Sequence, residues 1–109
     1  MTLAIQLFQK AIEIDPRYAD AYAGLGEAWA TMYQLFERNE TWLDKAIEAC
    51  LSALMYDANL SEAYAALGLA YFQKNSFDQA LTASQKAIDL DPNNFSAYWI
   101  LGQIGRAHV

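Results

Sequence analysis

Ser61 to Asn94 reads SEAYAALGLAYFQKNSFDQALTASQKAIDLDPNN. Apolar residues recur at steps of three and four on either side of Lys74-Asn75-Ser76, which is helical spacing. The stretch therefore predicts a helix, a short turn and a second helix. Ser76 with Gln79 reads as a capping box, in which the hydroxyl takes an orphan backbone N–H and Gln79 reaches back. Pro92 cannot continue the second helix. Asn93 and Asn94 then favour a turn or an N-cap.

The same wording recurs along the chain. Asp15 to Ala28 reads DPRYADAYAGLGEA, Asp57 to Ala70 reads DANLSEAYAALGLA, and Asp91 to Gln103 reads DPNNFSAYWILGQ. Each carries an acidic residue, a short polar link, then Ala-Tyr and a Leu-Gly pair. Tyr64 to Tyr98 is a shift of 34 residues, and Tyr22 to Tyr64 a shift of 42. A second motif alternates with the first. Ala4, Phe8, Ala11 and Ile12 lead into Asp15-Pro16; Ala46, Cys50, Ala53 and Leu54 lead into Asp57-Ala58; Ala80, Ala87 and Ile88 lead into Asp91-Pro92. No stretch alternates with period two. The expected fold is all-α, with about six antiparallel helices of two alternating types, B-A-B-A-B-A.

This pattern resembles the tetratricopeptide repeat (TPR), a helix-turn-helix unit of about 34 residues. Ser61 to Asn94 is a near-complete unit. Tyr64 takes the large aromatic position, Leu67-Gly68 the Leu-Gly pair, Tyr71 the second aromatic, Ala80 and Ala87 the small B-helix positions, and Pro92 the closing proline. Ser84 departs from the family, which usually has an aromatic there; Phe8 and Cys50 hold the equivalent place elsewhere. The resemblance covers Thr2 to Gln103 and implies a right-handed superhelical solenoid. On this reading residues 1–103 form one array. Residues 1–16 are a partial unit (helix B), 17–60 a lengthened unit, 61–94 a full unit and 95–103 a partial unit (helix A).

Physical reasons stand behind those residue types. Gly26, Gly68 and Gly102 fall inside helices, where Gly costs about 1 kcal/mol relative to Ala. Close approach by a neighbouring helix would explain them, with Ala80 and Ala87 as the facing small residues. Tyr22, Trp29, Tyr64, Tyr71 and Tyr98 would fill the wider spaces. Stacked units are then needed to make one continuous core.

The lengthened unit has eight extra residues, in the region Thr31 to Lys45. Met32, Tyr33, Leu35 and Phe36 read as a continuation of helix A by about two turns. Arg38-Asn39-Glu40 reads as the turn, Trp42 and Leu43 as the opening of helix B, and Thr41 with Asp44 as a weak cap. Either Tyr33, Phe36 and Trp42 form a partner-binding aromatic knob, or the two lengthened helices pack on each other; packing is the expectation. A unit lengthened in this way is similar to TPR regions of bacterial signalling proteins.

Composition excludes much chemistry. The chain has 109 residues, 55% hydrophobic, with thirteen acidic and seven basic side chains and a formal charge of −6. That size fits one small domain or a piece of a larger one. A nucleic-acid groove needs clustered Lys and Arg, so no nucleic-acid partner is expected. One cysteine and one histidine leave no internal disulfide, no Cys-based zinc site and no His pair for a metal. Cys50, at a core position of helix B, reads as an inert buried thiol. Glu27 and Glu62 stand on corresponding helices, but no phosphate loop or electrophile joins them, so they read as a solvated acidic face. No enzyme activity, cofactor or metal is expected. The longest apolar run, Ala63 to Phe72, is half of the ~20 residues a membrane span needs. No membrane partner is expected, and the start of the chain has no export signal, which makes a cytoplasmic setting the default.

Two features concern the ends. Trp99, Ile100 and Leu101 close the array with no following B helix, so uncapped ends could self-associate. Ile104-Gly105-Arg106-Ala107-His108-Val109 resembles one reading frame of a common DNA sequencing adapter, and residues 104–109 are expected to be an artefactual tail.

The resemblance implies a binding groove along the inner face of the A helices. That face would carry Asp20, Ala23, Glu27 and Thr31, then Glu62, Ala65, Leu69, Phe72 and Gln73, then Trp99 and Gln103. Steps of three and four place each set on one stripe. TPR domains that grip the C-terminal carboxylate of heat-shock chaperones use Lys and Asn there, and this stripe has neither Lys nor Arg. An acidic rim around apolar residues would suit a protein or peptide with apolar anchors and some basic residues. The first expectation is thus a non-catalytic protein-interaction module. The alternatives are a regulatory TPR segment of a larger bacterial signalling enzyme or transcription regulator, and a self-assembly scaffold.

Overall fold

The computed structural model describes residues 2–107. Among them are six helices and no strand: α1 Thr2–Ile14, α2 Ala19–Leu35, α3 Glu40–Tyr56, α4 Ser61–Gln73, α5 Phe77–Leu90 and α6 Phe95–Ala107. α1, α3 and α5 are the B type, and α2, α4 and α6 the A type. Each A helix packs on its neighbouring B helices, and α4 touches both α2 and α6, giving a flattened solenoid of 44 × 31 × 18 Å.

The turns after the B helices share one device. The backbone N–H groups of Asp15, Asp57 and Asp91 donate to the carbonyls of Ala11, Ala53 and Ala87, each at 2.9 Å. Their side-chain Oδ1 atoms then accept the N–H groups of Arg17, Asn59 and Asn93, at 3.1, 3.0 and 3.0 Å. An acidic residue at this place ends one helix and shapes the turn with a single side chain.

Glycines and alanines bring the helices together. A Cβ on Gly26 would meet Cys50 Sγ at 2.5 Å and the Ala46 carbonyl at 3.1 Å. One on Gly68 would meet Ser84 Oγ at 2.6 Å. Ala23, Ala53 and Ala63 form one buried cluster, Ala30, Ala46 and Ala70 a second, and Ala65, Ala87 and Ala97 a third. Gly102 differs: among the described residues a Cβ there would meet nothing within 4 Å. The expectation of close approach thus holds at Gly26 and Gly68 and fails at Gly102. Tyr98 fails with it and is 51% exposed, whereas Tyr22, Trp29, Tyr64 and Tyr71 are half-buried.

The caps also depart from expectation. Ser76 is the N-cap residue of α5, but its side chain makes no cap bond. Asn75 before it takes a left-handed conformation, φ 64°, that closes α4, with the Ser76 N–H donating to the Tyr71 carbonyl at 2.9 Å. α3 starts at Glu40, and Asn39 caps it by accepting the Thr41 N–H at 2.9 Å, so the Thr41–Asp44 cap does not form. Asp44 instead accepts Lys74 Nζ at 2.8 Å, and that hydrogen bond raises the pKa of Lys74. As expected, Asn94 caps α6, its Oδ1 accepting the Ala97 N–H at 3.2 Å.

In the lengthened unit the helices pack on each other. Trp42 stacks on Trp29 with ring centroids 5.0 Å apart and planes 21° apart, and Lys45 Nζ lies 4.9 Å from the Trp29 ring centroid. Trp42 is therefore not part of an exposed knob, while Leu35 and Phe36 remain exposed. At the other end, α6 continues through Ala107, with Ile104 buried beside Ala80 and Ile100. Of the expected tail, His108 and Val109 lie outside the described residues.

Candidate functional site

Two hollows lie end to end along α4, on the side where α2 and α6 flank it. The first, about 300 Å³, is bounded by Glu27 of α2, by Glu62, Ala65 and Leu69 of α4, and by Asn94, Phe95 and Trp99 at and within α6. Its wall is mostly apolar. Glu27 and Glu62 are exposed carboxylates at its rim. Phe95 is 83% exposed and Trp99 46%, so two aromatic faces stand open beside it.

The second hollow, about 220 Å³, shares Leu69 and Trp99 with the first. Its remaining boundary is mostly polar: Tyr33, Gln34 and Arg38 from the lengthened segment, and Phe72, Gln73 and Asn75 from the end of α4. The Arg38 guanidinium lies 5.8 Å from the Tyr33 ring centroid. Gln73 Nε2 donates to Gln34 Oε1 at 3.4 Å, while Gln73 Oε1 is buried with no partner among the described residues.

Seven of the expected groove residues thus come together: Glu27, Glu62, Ala65, Leu69, Phe72, Gln73 and Trp99. Asp20, Ala23, Thr31 and Gln103 border neither hollow. Ala23 turns inward onto Ala53 and Ala63. Thr31 bonds along its own helix, its Oγ1 donating to the Glu27 carbonyl at 2.9 Å. Asp20 lies in the first turn of α2, about two helical turns before Glu27. Leu69 and Phe72 are only partly free to line the hollows, since both pack against the cluster of Ala80, Ile100 and Ile104, and Leu69 also against that of Ala30 and Ala70.

Tyr33, Gln34, Arg38, Asn75, Asn94 and Phe95 are among the groove residues that repeat periodicity missed. Arg38 changes the electrostatics most, because it sets a cation in a groove whose A-helix stripe has none. Asn94 joins the groove to the core: its Nδ2 donates to Ser61 Oγ at 2.8 Å, and Ser61 Oγ donates to the Ala87 carbonyl at 2.7 Å. The one thiol of the chain is not part of this face. Cys50 is buried behind it, and burial first, then the Glu27 charge, pushes its thiol pKa up to about 12.

Comparison with known proteins agrees with this geometry. The TPR repeat family profile matches residues 2–32 and 68–104, more than half of the chain. A cell division cycle protein 27 homolog of Caenorhabditis elegans is 37% identical over 93 residues, which are 85% of this chain and 11% of that protein. The chain thus spans about a tenth of the length of that relative. Among solved structures, a thermophilic TPR protein of Thermus thermophilus superposes with a TM-score of 0.81 at 21% identity, over 94% of this chain and 56% of that one. The first TPR of Spaghetti (RPAP3), bound to the HSP90 peptide SRMEEVD, superposes with a TM-score of 0.75 at 23% identity, over 94% and 75% of the two chains. The chain belongs to the tetratricopeptide repeat family and has the fold of its helical solenoids.

Proposed function

We infer that the chain is a non-catalytic module that holds a peptide segment of a partner protein in the groove along α4, between α2 and α6. The observation that carries this reading is the first hollow: Leu69 and Trp99 offer open apolar area, and Glu27 and Glu62 rim it with negative charge. Apolar contact supplies affinity, and the carboxylates steer a ligand that carries lysine or arginine near its apolar anchor. A TPR of the same fold holds an HSP90 peptide that ends in Glu-Glu-Val-Asp. An end so acidic would be repelled from Glu27 and Glu62, which favours a partner of opposite charge at this end of the groove.

The test starts from a random dodecapeptide library selected on the immobilised chain. Glu27→Gln with Glu62→Gln, and separately Trp99→Ala, should weaken the selected peptide at least tenfold with an unchanged helical circular-dichroism spectrum. The charge effect should shrink as salt rises, since exposed carboxylates are screened. Affinities within twofold of the parent in both variants would remove the groove from the binding surface.

A further inference from the structure

The extra residues of the lengthened unit do more than pack. They deliver Tyr33, Gln34 and Arg38 to the second hollow, whose boundary includes none of Lys45, Lys74 and Lys86. Among the described residues, no carboxylate lies within ion-pair distance of Arg38; its guanidinium has only the face of Tyr33. In a chain with almost twice as many acidic as basic side chains, an arginine left so in a groove is conspicuous. Beside it, Gln73 lines the same hollow, its Nε2 donating to Gln34 Oε1 at 3.4 Å. The groove therefore has opposite charges at its two ends and an apolar centre.

We propose that the lengthened segment builds an anion-accepting end into this groove, so that it takes an extended peptide with a basic residue at Glu27 and Glu62, an apolar residue on Leu69 and Trp99, and an acidic side chain at Arg38. Helix geometry sets the spacing. Glu62 and Gln73 are eleven residues apart on α4, which is about 16 Å at 1.5 Å per residue. An extended peptide covers that in about five residues at roughly 3.3 Å each. Leu69 lies seven residues from Glu62 and four from Gln73, so the apolar residue falls about three positions from the basic one and about two from the acidic one. A bidentate carboxylate is the natural partner of a guanidinium fork. This inference rests on the groove being the binding surface.

The probes are two peptides acetylated at one end and amidated at the other, Lys-Ala-Ala-Leu-Ala-Glu and its reverse, each beside a version with Lys in place of Glu. The capped ends leave the glutamate as the one carboxylate. Binding to the full chain is followed by amide shifts in NMR titrations. One of the two directions should bind at least five-fold tighter than its all-lysine version. Arg38→Glu should invert that preference, and Arg38→Gln should erase it; neither exposed substitution should alter the circular-dichroism spectrum. A glutamate preference unchanged in Arg38→Glu overturns the proposal. If the peptides bind and Trp99→Ala abolishes binding but no glutamate preference exists, the groove stands and its anion-accepting end falls. If no probe moves the amides of Leu69 or Trp99 at millimolar concentration, the groove reading fails and takes the proposal with it.

Discussion

Gly68 and Ser84 touch so closely that a single added carbon on the glycine would stand 2.6 Å from the serine Oγ. Ser84 Oγ is itself fully buried and, among the described residues, has no hydrogen-bond partner. The pair fixes how near α4 lies to α5. Gly26 and Cys50 do the same for α2 and α3.

Gly68→Ala should therefore destabilise the fold by about 1–3 kcal/mol, the usual cost of overpacking, despite the better helix propensity of alanine. Adding Ser84→Ala removes the atom in the way and should recover most of that loss. Gly102→Ala, at the same repeat position with nothing beside it, should stabilise by about 0.5–1 kcal/mol. Urea unfolding of the three variants checks the set. A Gly68→Ala protein as stable as the parent would mean that the two helices do not approach this closely.

Much of the fold was legible because it is written three times. The Leu-Gly pairs, the Asp turns and the alanine ladders repeat at matched positions, so each helix could be read from its copies. Gly102 shows the limit: a glycine in register states that a neighbour fits, not that one is present. Ser76 shows another, since a capping sequence forms no cap when the preceding residue, Asn75, closes the turn through the backbone. In the groove, seven residues followed from helical stripes. Ala23 was misplaced because the alanine trio with Ala53 and Ala63 turns it inward. Arg38 was missed because a turn's path across space has no periodicity to read.

Trp42→Ala should cost about 2–3 kcal/mol, since it removes a half-buried aromatic stacked on Trp29. Phe36→Ala, at an exposed ring six residues earlier, should change stability by less than about 0.5 kcal/mol. Thermal and urea unfolding distinguish the two. Equal effects would contradict the packing of the lengthened helices.

Ser61→Ala should destabilise by about 0.5–1.5 kcal/mol, because it removes the buried 2.7 Å hydrogen bond to the Ala87 carbonyl, which keeps the Asp91 N–H. It also frees Asn94 at the edge of the first hollow. Faster hydrogen exchange at the start of α6 should accompany the loss. Protection there unchanged from the parent would mean that Asn94 is held by other contacts.

Stability should fall as pH rises above about 9. The Cys50 thiol titrates in the folded state at about 12 instead of 9.0, chiefly from burial, so above pH 9 the unfolded chain releases a proton that the folded chain keeps. Lys74, raised by its hydrogen bond to Asp44, acts in the same direction, with the smaller effect of a pair near the surface. The Cys50 share is about 1 kcal/mol by pH 10 and is absent below pH 8. It reads out as a difference between the parent and Cys50→Ala in unfolding at pH 7 and pH 10. A disulfide reagent should modify the folded parent at pH 8 far more slowly than the urea-unfolded chain. Equal rates would place the thiol at the surface.

The central claim is that partners bind on the A-helix face and not on the outer ridge, where Leu51, Met55 and Leu81 are also exposed. The most direct measurement is an ¹⁵N–¹H NMR titration of the full chain with a library-selected peptide. The expected result is shifts concentrated at residues 62–73 and 94–103, with Leu69 and Trp99 among the largest. Shifts concentrated at residues 51–55 and 81–88, with the α4–α6 amides still, would contradict it.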